Sequence, residues 1–315
     1  ILGLLAKYWI RLITPIVAAT VVTAIGFSLL SVGAASFGGG SGSETFGSAT
    51  NWILGTFTLL CCILFNIFAK SYFKQLSVLF GLIMGYIAAV ILGAVDFSSL
   101  EGTSIIAFPQ LLPFKPEFNI NAIISVTLIF LVSATETIGD TSALAAAGLN
   151  REATLKETSG SIACDGFVSS LSSVFGCLPI TSFSQNVGLV TMTKVVNRMA
   201  LATGAVFLIL CGLIPKLGAI VSIMPQSVLG GAAVMMFSSI VVSGIQLITK
   251  EKMTSRNLTI VSVALGVGYG MGAHATILSK MPEAIQLVFG GSGIVPAAFM
   301  AIILNVLLPK DDKAA

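Results

Sequence analysis

The sequence predicts an all-helical protein that crosses a membrane about ten times, and three observations predict it. Hydrophobic residues fill 56% of the 315 positions and charged ones only 9%, with a mean hydropathy of +1.01; a soluble domain of this length carries far more charge. Apolar segments of about 17 to 25 residues recur along the whole chain, the length a helix needs to cross about 30 Å of hydrocarbon. Ten-residue strands of alternating polarity are absent, which argues against a membrane barrel.

Taken in order, spans are expected near residues 12–32, 52–69, 76–95, 121–148, 159–178, 180–194 in broken form, 199–222, 226–248, 257–274 and 287–308. The chain opens on Ile1 close to a span, with no Met and no recognisable signal peptide. Further sequence before it is therefore expected, and the first helix is expected to be retained. A Gly- and Ser-rich connection, 36–48, follows the first span, and a longer one with Pro109, Pro113 and Pro116 follows the third. Both are irregular links between spans, not linkers between soluble domains.

If these spans alternate, the loops fall into two sets that should differ in Lys and Arg. Of the sixteen Lys and Arg, only Lys115, Lys216 and Lys280 fall in one set. The thirteen others assign the second set, and both chain ends, to the cytoplasm. The same count supports a full crossing by the broken element at 180–194. The net charge of +3 reflects topology and gives no reason to invoke nucleic acid. Cys61, Cys62, Cys164, Cys177 and Cys211 all lie in apolar segments without metal-ligand spacing and are expected to be small core residues. His274, near a span end, cannot build a metal site alone, and no cofactor motif is present.

Most of the acidic residues sit in loops, but Glu136, Asp140 and Asp165 do not. Glu136 and Asp140 are four apart on one predicted helix and share a face. Exposed to lipid at mid-membrane, the three would cost about 8 to 10 kcal/mol, so they are expected to face protein or water. Burial raises a carboxyl pKa and brings proton exchange towards neutral pH. Small residues such as Ser142, Ala143, Gly160, Ser161 and Gly166 allow close helix packing around them. The spans before residue 98 and after 225 hold no such acid, which divides the chain into a polar core, 119–223, between apolar segments 1–118 and 224–315.

Residues 181–194, TSFSQNVGLVTMTK, concentrate polar groups in a hydrocarbon-like sequence. Pro179 and Gly188 argue against one continuous helix, and irregular backbone at membrane depth is tolerated where protein buries it or where it lines a cavity. A ligand site is expected here.

This stretch also carries a resemblance. Gln185, Asn186, Val187, Gly188, the four residues from Leu189 to Met192, Thr193 and Lys194 match the signature of the nucleobase–ascorbate transporter family, also called nucleobase:cation symporter 2. The segment from Glu136 to Asp140, ETIGD, resembles that family's acidic motif in its eighth span, and Asp165-Gly166 resembles the acidic position of the ninth. The resemblance implies a fourteen-span fold of two inverted seven-span repeats, divided into a core and a gate, with this chain covering spans five to fourteen. Residues 119–223 would then belong to the core, and 1–118 and 224–315 to the gate, the latter ending in a cytoplasmic tail.

Carried over residue by residue, the resemblance implies that Glu136 accepts hydrogen bonds from purine ring N–H groups and that Gln185 binds the opposite edge. Phe183 would pack on the ring, and backbone N–H groups at Ser184 and Gln185 would bind exocyclic oxygens. Asn186 would hold the broken backbone, and Gly188 would allow close approach. Asp165 would be a coupling or structural carboxylate, Asp140 would tune the site, and Thr193 and Lys194 would act at the cytoplasmic end. Gln at position 185 resembles the bacterial xanthine and uric acid branch, whereas uracil carriers tend to have Glu there and His where Asp140 stands. The implied function is uptake of xanthine or uric acid across the plasma (bacterial inner) membrane by symport with a proton, sodium being the other cation, in a homodimer within the lipid bilayer. The chain is expected not to be an enzyme. Two other readings stay open at this point: an anion carrier or channel of the related sulfate-transporter fold, and an intramembrane aspartyl protease using Asp140 and Asp165.

Overall fold

A computed structural model describes residues 12–70, 72–183, 186, 190, 194–282, 285, 286, 289, 290 and 293–309. Ten helices of eight or more residues account for most of them, and no strand occurs among the described residues. They are α1 Pro15–Phe37, α2 Ala49–Phe68, α3 Ser77–Ile91, α4 Ile120–Leu149, α5 Leu155–Val174, α6 Arg198–Gly212, α7 Pro215–Ser222, α8 Gln226–Lys250, α9 Ser255–Ala273 and α10 Ile294–Leu307.

Local chemistry sets many of the boundaries. Asn119 caps α4 by accepting from the backbone of Asn121 and Ala122, and Asn150 ends it in the left-handed conformation that Asn tolerates. Thr154 and Glu157 form a capping box at the start of α5. Arg151 grips the same Glu157 with two bonds of 2.6 and 2.8 Å. These bonds, with those from Thr154, hold the exposed Glu157 carboxyl well below the usual range.

Among the described residues four helices, α1, α2, α4 and α8, are long and apolar enough to cross a membrane, and a fifth crossing is added if α6 and α7 count as one. That is fewer than the ten spans expected, for identifiable reasons. The span expected at 199–222 is bent by 81° between α6 and α7, where Pro215 supplies no N–H and its ring is incompatible with a continuing helix. Helices α3 and α10 are shorter than a full crossing. Helix α5 has the length but is rich in Ser and Gly, and α9 opens on Ser-Arg-Asn and carries four glycines. Much of the element expected at 180–194, and residues 287, 288, 291 and 292 of the one expected at 287–308, lie outside the described residues. The cysteines divide: Cys62 is buried and Cys61 and Cys211 are half-buried, but Cys164 and Cys177 are exposed. Cys164 precedes Asp165 and so points about 100° away from it around α5, and Cys177 lies in the extended chain beyond that helix.

The chain forms two compact units. One comprises residues 1–28, 111–187 and 239–315. In it α9 packs along α10, α4 packs on α5, and α10 also meets α4. The start of α1 is deeply buried there, and Gly244 of α8 lies so close to it that an added Cβ would sit 2.8 Å from the Thr23 Cα. The other unit comprises residues 29–110 and 188–238, with α2 packed along α3. There Gly231 of α8 approaches the Gly55 carbonyl of α2, which a Cβ would meet at 2.5 Å. Close backbone approach through small residues is the usual basis of helix association in lipid.

Candidate functional site

Helix α4 presents Ser133, Glu136, Thr137 and Asp140 at helical spacings of three and four, which places them along one side. Helix α5 brings Asp165 and, one turn later, Ser169. Beyond α5, residues 177–183 are not helical, so their backbone groups need partners that a helix would have provided itself.

The two helices provide them at Ile180 and bond the side-chain hydroxyls of the next two residues. The Ser169 hydroxyl accepts from the Ile180 N–H at 3.0 Å and lies 3.1 Å from the Ile180 carbonyl, to which it donates. The Ser133 and Thr181 hydroxyls are 2.7 Å apart. Ser182 donates to Asp140 Oδ2 at 2.7 Å. The non-helical stretch is thus pinned to α5 at 180 and to α4 at 181 and 182. On the other side of the same network, Thr137 donates to Asp165 Oδ2 at 2.6 Å, linking α4 to α5. Asp140, Thr137 and Ser169 are buried, while Glu136 and Asp165 are half-buried.

A cavity of about 380 Å³ opens beside this network. Its walls are mainly apolar, from Val126, Ile129, Phe130 and Val132 of α4, Ile25 of α1, and Ile294 and Val295 of α10, with Pro179 to Thr181 closing one side. Among the described residues its polar groups are Ser133, Thr181 and one carboxylate, Glu136. A concave apolar site of this size with few convergent polar groups has the form of a small-molecule pocket. A carboxylate in apolar walls is a strong acceptor for N–H donors, because water competes poorly there.

The expected site residues therefore separate. Glu136 lines the cavity, whereas Asp140 and Asp165 are engaged with Ser182 and Thr137 beside it. Phe183 follows the pinned residues but is exposed and is not among the residues that line the cavity. Asn186 donates its backbone N–H to the Phe183 carbonyl at 3.0 Å and is itself exposed. Lys194 is exposed, in the left-handed conformation at φ 56°. Ser184, Gln185, Gly188 and Thr193 lie outside the described residues.

Thr137, Ser182, Ser133 and Ser169 are the functional candidates that the motif did not mark. Ser169 is one of several small residues of α5 that suit close helix packing, and nothing in the sequence sets it apart from them. Thr137 and Ser133 had one usable signal, a helical spacing that aligns them with Asp140.

The sequence profile of the permease family Xan_ur_permease matches residues 2–277. The chain is 35% identical over 308 residues to xanthine permease XanQ of Escherichia coli, which covers 96% of this chain and 66% of the relative. It is 35% identical over 307 residues to nucleobase transporter PlUacP of Paenibacillus larvae, covering 96% of this chain and 70% of the relative. It is also 33% identical over 298 residues to uric acid permease PucK of Bacillus subtilis, covering 94% and 69%. The chain spans about two thirds of the length of these relatives.

Proposed function

Since this chain belongs to the permease family of xanthine and uric acid carriers, a group of transporters and not enzymes, we propose that it takes up an oxidised purine nucleobase, xanthine or uric acid, in symport with a proton. The observation that carries this reading is Glu136, the single carboxylate among the described residues that line an apolar cavity of about 380 Å³. Xanthine and urate both present ring N–H groups, and a desolvated carboxylate accepts two of them side by side. The names of the relatives supply the substrate class, and the cavity supplies a group that fits it.

In this reading Gln185 and the backbone at Ser184 bind the edge opposite Glu136, and Phe183 swings onto the ring when substrate is present. Asn186 and Gly188 support the break, and Thr193 and Lys194 act at the cytoplasmic mouth. Asp165, with Asp140, carries the coupled proton. Residues 119–223 move as a core against a gate formed by 1–118 and 224–315, in a homodimer in the bacterial inner membrane with both ends of the chain in the cytoplasm. The thirteen-to-three division of basic residues supports that orientation. An anion carrier would need a cation in the cavity, and among the described lining residues the charged group is an acid.

The test is binding of labelled xanthine to purified protein in lipid. A hydrogen bond to a charged group contributes about 1.5 to 3 kcal/mol, so Glu136→Gln should weaken binding about 10- to 150-fold while thermal stability holds. Binding by that variant equal to wild type would remove Glu136 from the site.

A further inference from the structure

Asp140 and Asp165 lie on different helices, and each is bonded to a hydroxyl from another element. Ser182 reaches Asp140 from the non-helical stretch, Thr137 reaches Asp165 from α4, and the two hydroxyl oxygens lie 3.5 Å apart. We propose that Asp140, Ser182, Thr137 and Asp165 form one proton-transfer chain, through which the two carboxyls take up protons as a coupled pair. Its role in transport rests on the proposed proton symport; the coupled titration stands or falls by itself.

The argument is an inventory of hydrogens. A hydroxyl carries one proton to donate and can accept two, while an ionised carboxylate only accepts. With both acids ionised, Thr137 spends its proton on Asp165 at 2.6 Å and Ser182 spends its own on Asp140 at 2.7 Å. No proton is left for the space between the hydroxyls, and 3.5 Å is beyond the usual range for O–H···O. These distances fit a chain with both acids ionised, divided at its middle.

One added proton changes every link. A protonated Asp165 becomes a donor to Thr137 Oγ1, which frees the Thr137 proton to turn towards Ser182 Oγ. Ser182 still donates to Asp140, so the central gap can close into a bond and the chain becomes continuous. Transfer then moves the Asp165 proton to Thr137, the Thr137 proton to Ser182 and the Ser182 proton to Asp140 Oδ2. Each hydroxyl oxygen forms one O–H bond and breaks one, Asp165 loses one and Asp140 gains one, and the net result is one proton moved from α5 to α4. Thr137 Oγ1 also lies 3.2 Å from the Ser133 carbonyl, which holds the freed proton until Ser182 closes on Thr137. Hydroxyls in membrane helices commonly bond the carbonyl one turn back; here Thr137 also reaches a carboxylate on another helix.

Few other charges bear on the pair. Glu136 stands one residue before Thr137 and one turn before Asp140 on α4. Helix α5 adds Lys156 and Glu157 in its first turn, the latter held by Arg151, and the Cys164 thiol beside Asp165. Neither α10, which packs on α4, nor α1 carries a charged side chain, and residues 177–183 carry no charge. No cation among these elements is placed between the two acids, which leaves the hydroxyls as the link.

Infrared titration of the carboxyl bands, with isotope-labelled aspartate and the full chain in lipid nanodiscs, tests this without any substrate. In the wild-type background, Asp165→Asn should move the protonation midpoint of Asp140 by about one pH unit or more, the size that marks coupled sites. With Thr137→Val, which keeps the shape and removes the hydroxyl, the same change should move it by less than about a third as much. Thr137→Ser should restore the full shift, and Ser182→Ala should abolish it by breaking the chain at its other hydroxyl. An equal shift with and without the two hydroxyls means that the acids interact only through space, and overturns the proposal. Loss of purine uptake with the midpoint coupling intact would instead overturn the transport reading and leave the chain standing.

Discussion

Buried hydroxyls bond their own helix in both compact units, as Thr20 and Thr58 do, and one unit adds hydroxyl bonds to carboxylates on other elements. In the unit of residues 29–110 and 188–238, packing is helix against helix through small residues, the acids Glu44, Asp96 and Glu101 are all exposed, and the buried Thr58 hydroxyl bonds Leu54 of its own helix at 2.8 Å. In the other unit, Ser133, Ser169, Thr137 and Ser182 bond across elements separated by 11 to 48 residues of sequence. Polar groups satisfied locally leave a helix self-sufficient and let it serve as framework. Polar groups satisfied across elements hold an irregular backbone in place, and that is where a cavity with a carboxylate is found. In lipid, non-helical chain and functional chemistry come together because the same hydroxyls and acids support both.

Breaking the framework should produce the largest effect. Gly231→Val places side-chain atoms against the Gly55 carbonyl and Thr58, and overpacking against backbone falls at the upper end of the usual range, about 3 kcal/mol. The measurement is thermal unfolding in detergent, and a melting temperature equal to wild type would show that this contact is not close in the membrane. Ser169→Ala tests the other unit more gently. It strips both backbone groups of Ile180 of their partner, at about 0.5 to 1.5 kcal/mol for each hydrogen bond lost. Hydrogen exchange at Ile180 should accelerate about 10-fold or more, while Ser170→Ala, one residue on, leaves it unchanged because Ser170 bonds only the Gly166 carbonyl of its own helix.

The smallest effect belongs to the connection that leads into α5. The Glu157 carboxyl, held low by Arg151 and then Thr154, contributes stability that is complete above its ordinary value of about 4.3 and is lost as pH falls through its lowered value in the folded chain. Glu157→Gln should therefore flatten the acid side of the stability profile and leave the neutral side little changed. Exposure screens this pair, so only the shape of the curve is diagnostic.

Much of the fold was legible because its signals are local. Asn119, Thr154 with Glu157, Asn197 and Thr254 begin α4, α5, α6 and α9 by capping chemistry that the sequence displays directly. The 81° bend before Pro215 was passed over because the apolar run on both sides hid a single proline. The acids of the site were legible from their expense in lipid, and the family motif from its spacing. Its pinning hydroxyls were not, because Ser169 and its neighbours Ser170 and Ser172 look alike in sequence. Ser170 and Ser172 bond their own helix, and only Ser169 reaches Ile180. Which serine turns outward depends on the partner it meets in three dimensions.

The most direct test of the account is uptake of labelled xanthine by cells producing this protein, with unlabelled urate and uracil as competitors and a protonophore as the final addition. The account predicts uptake that urate and the protonophore suppress and that uracil does not. No xanthine uptake from protein shown to be in the membrane would contradict it.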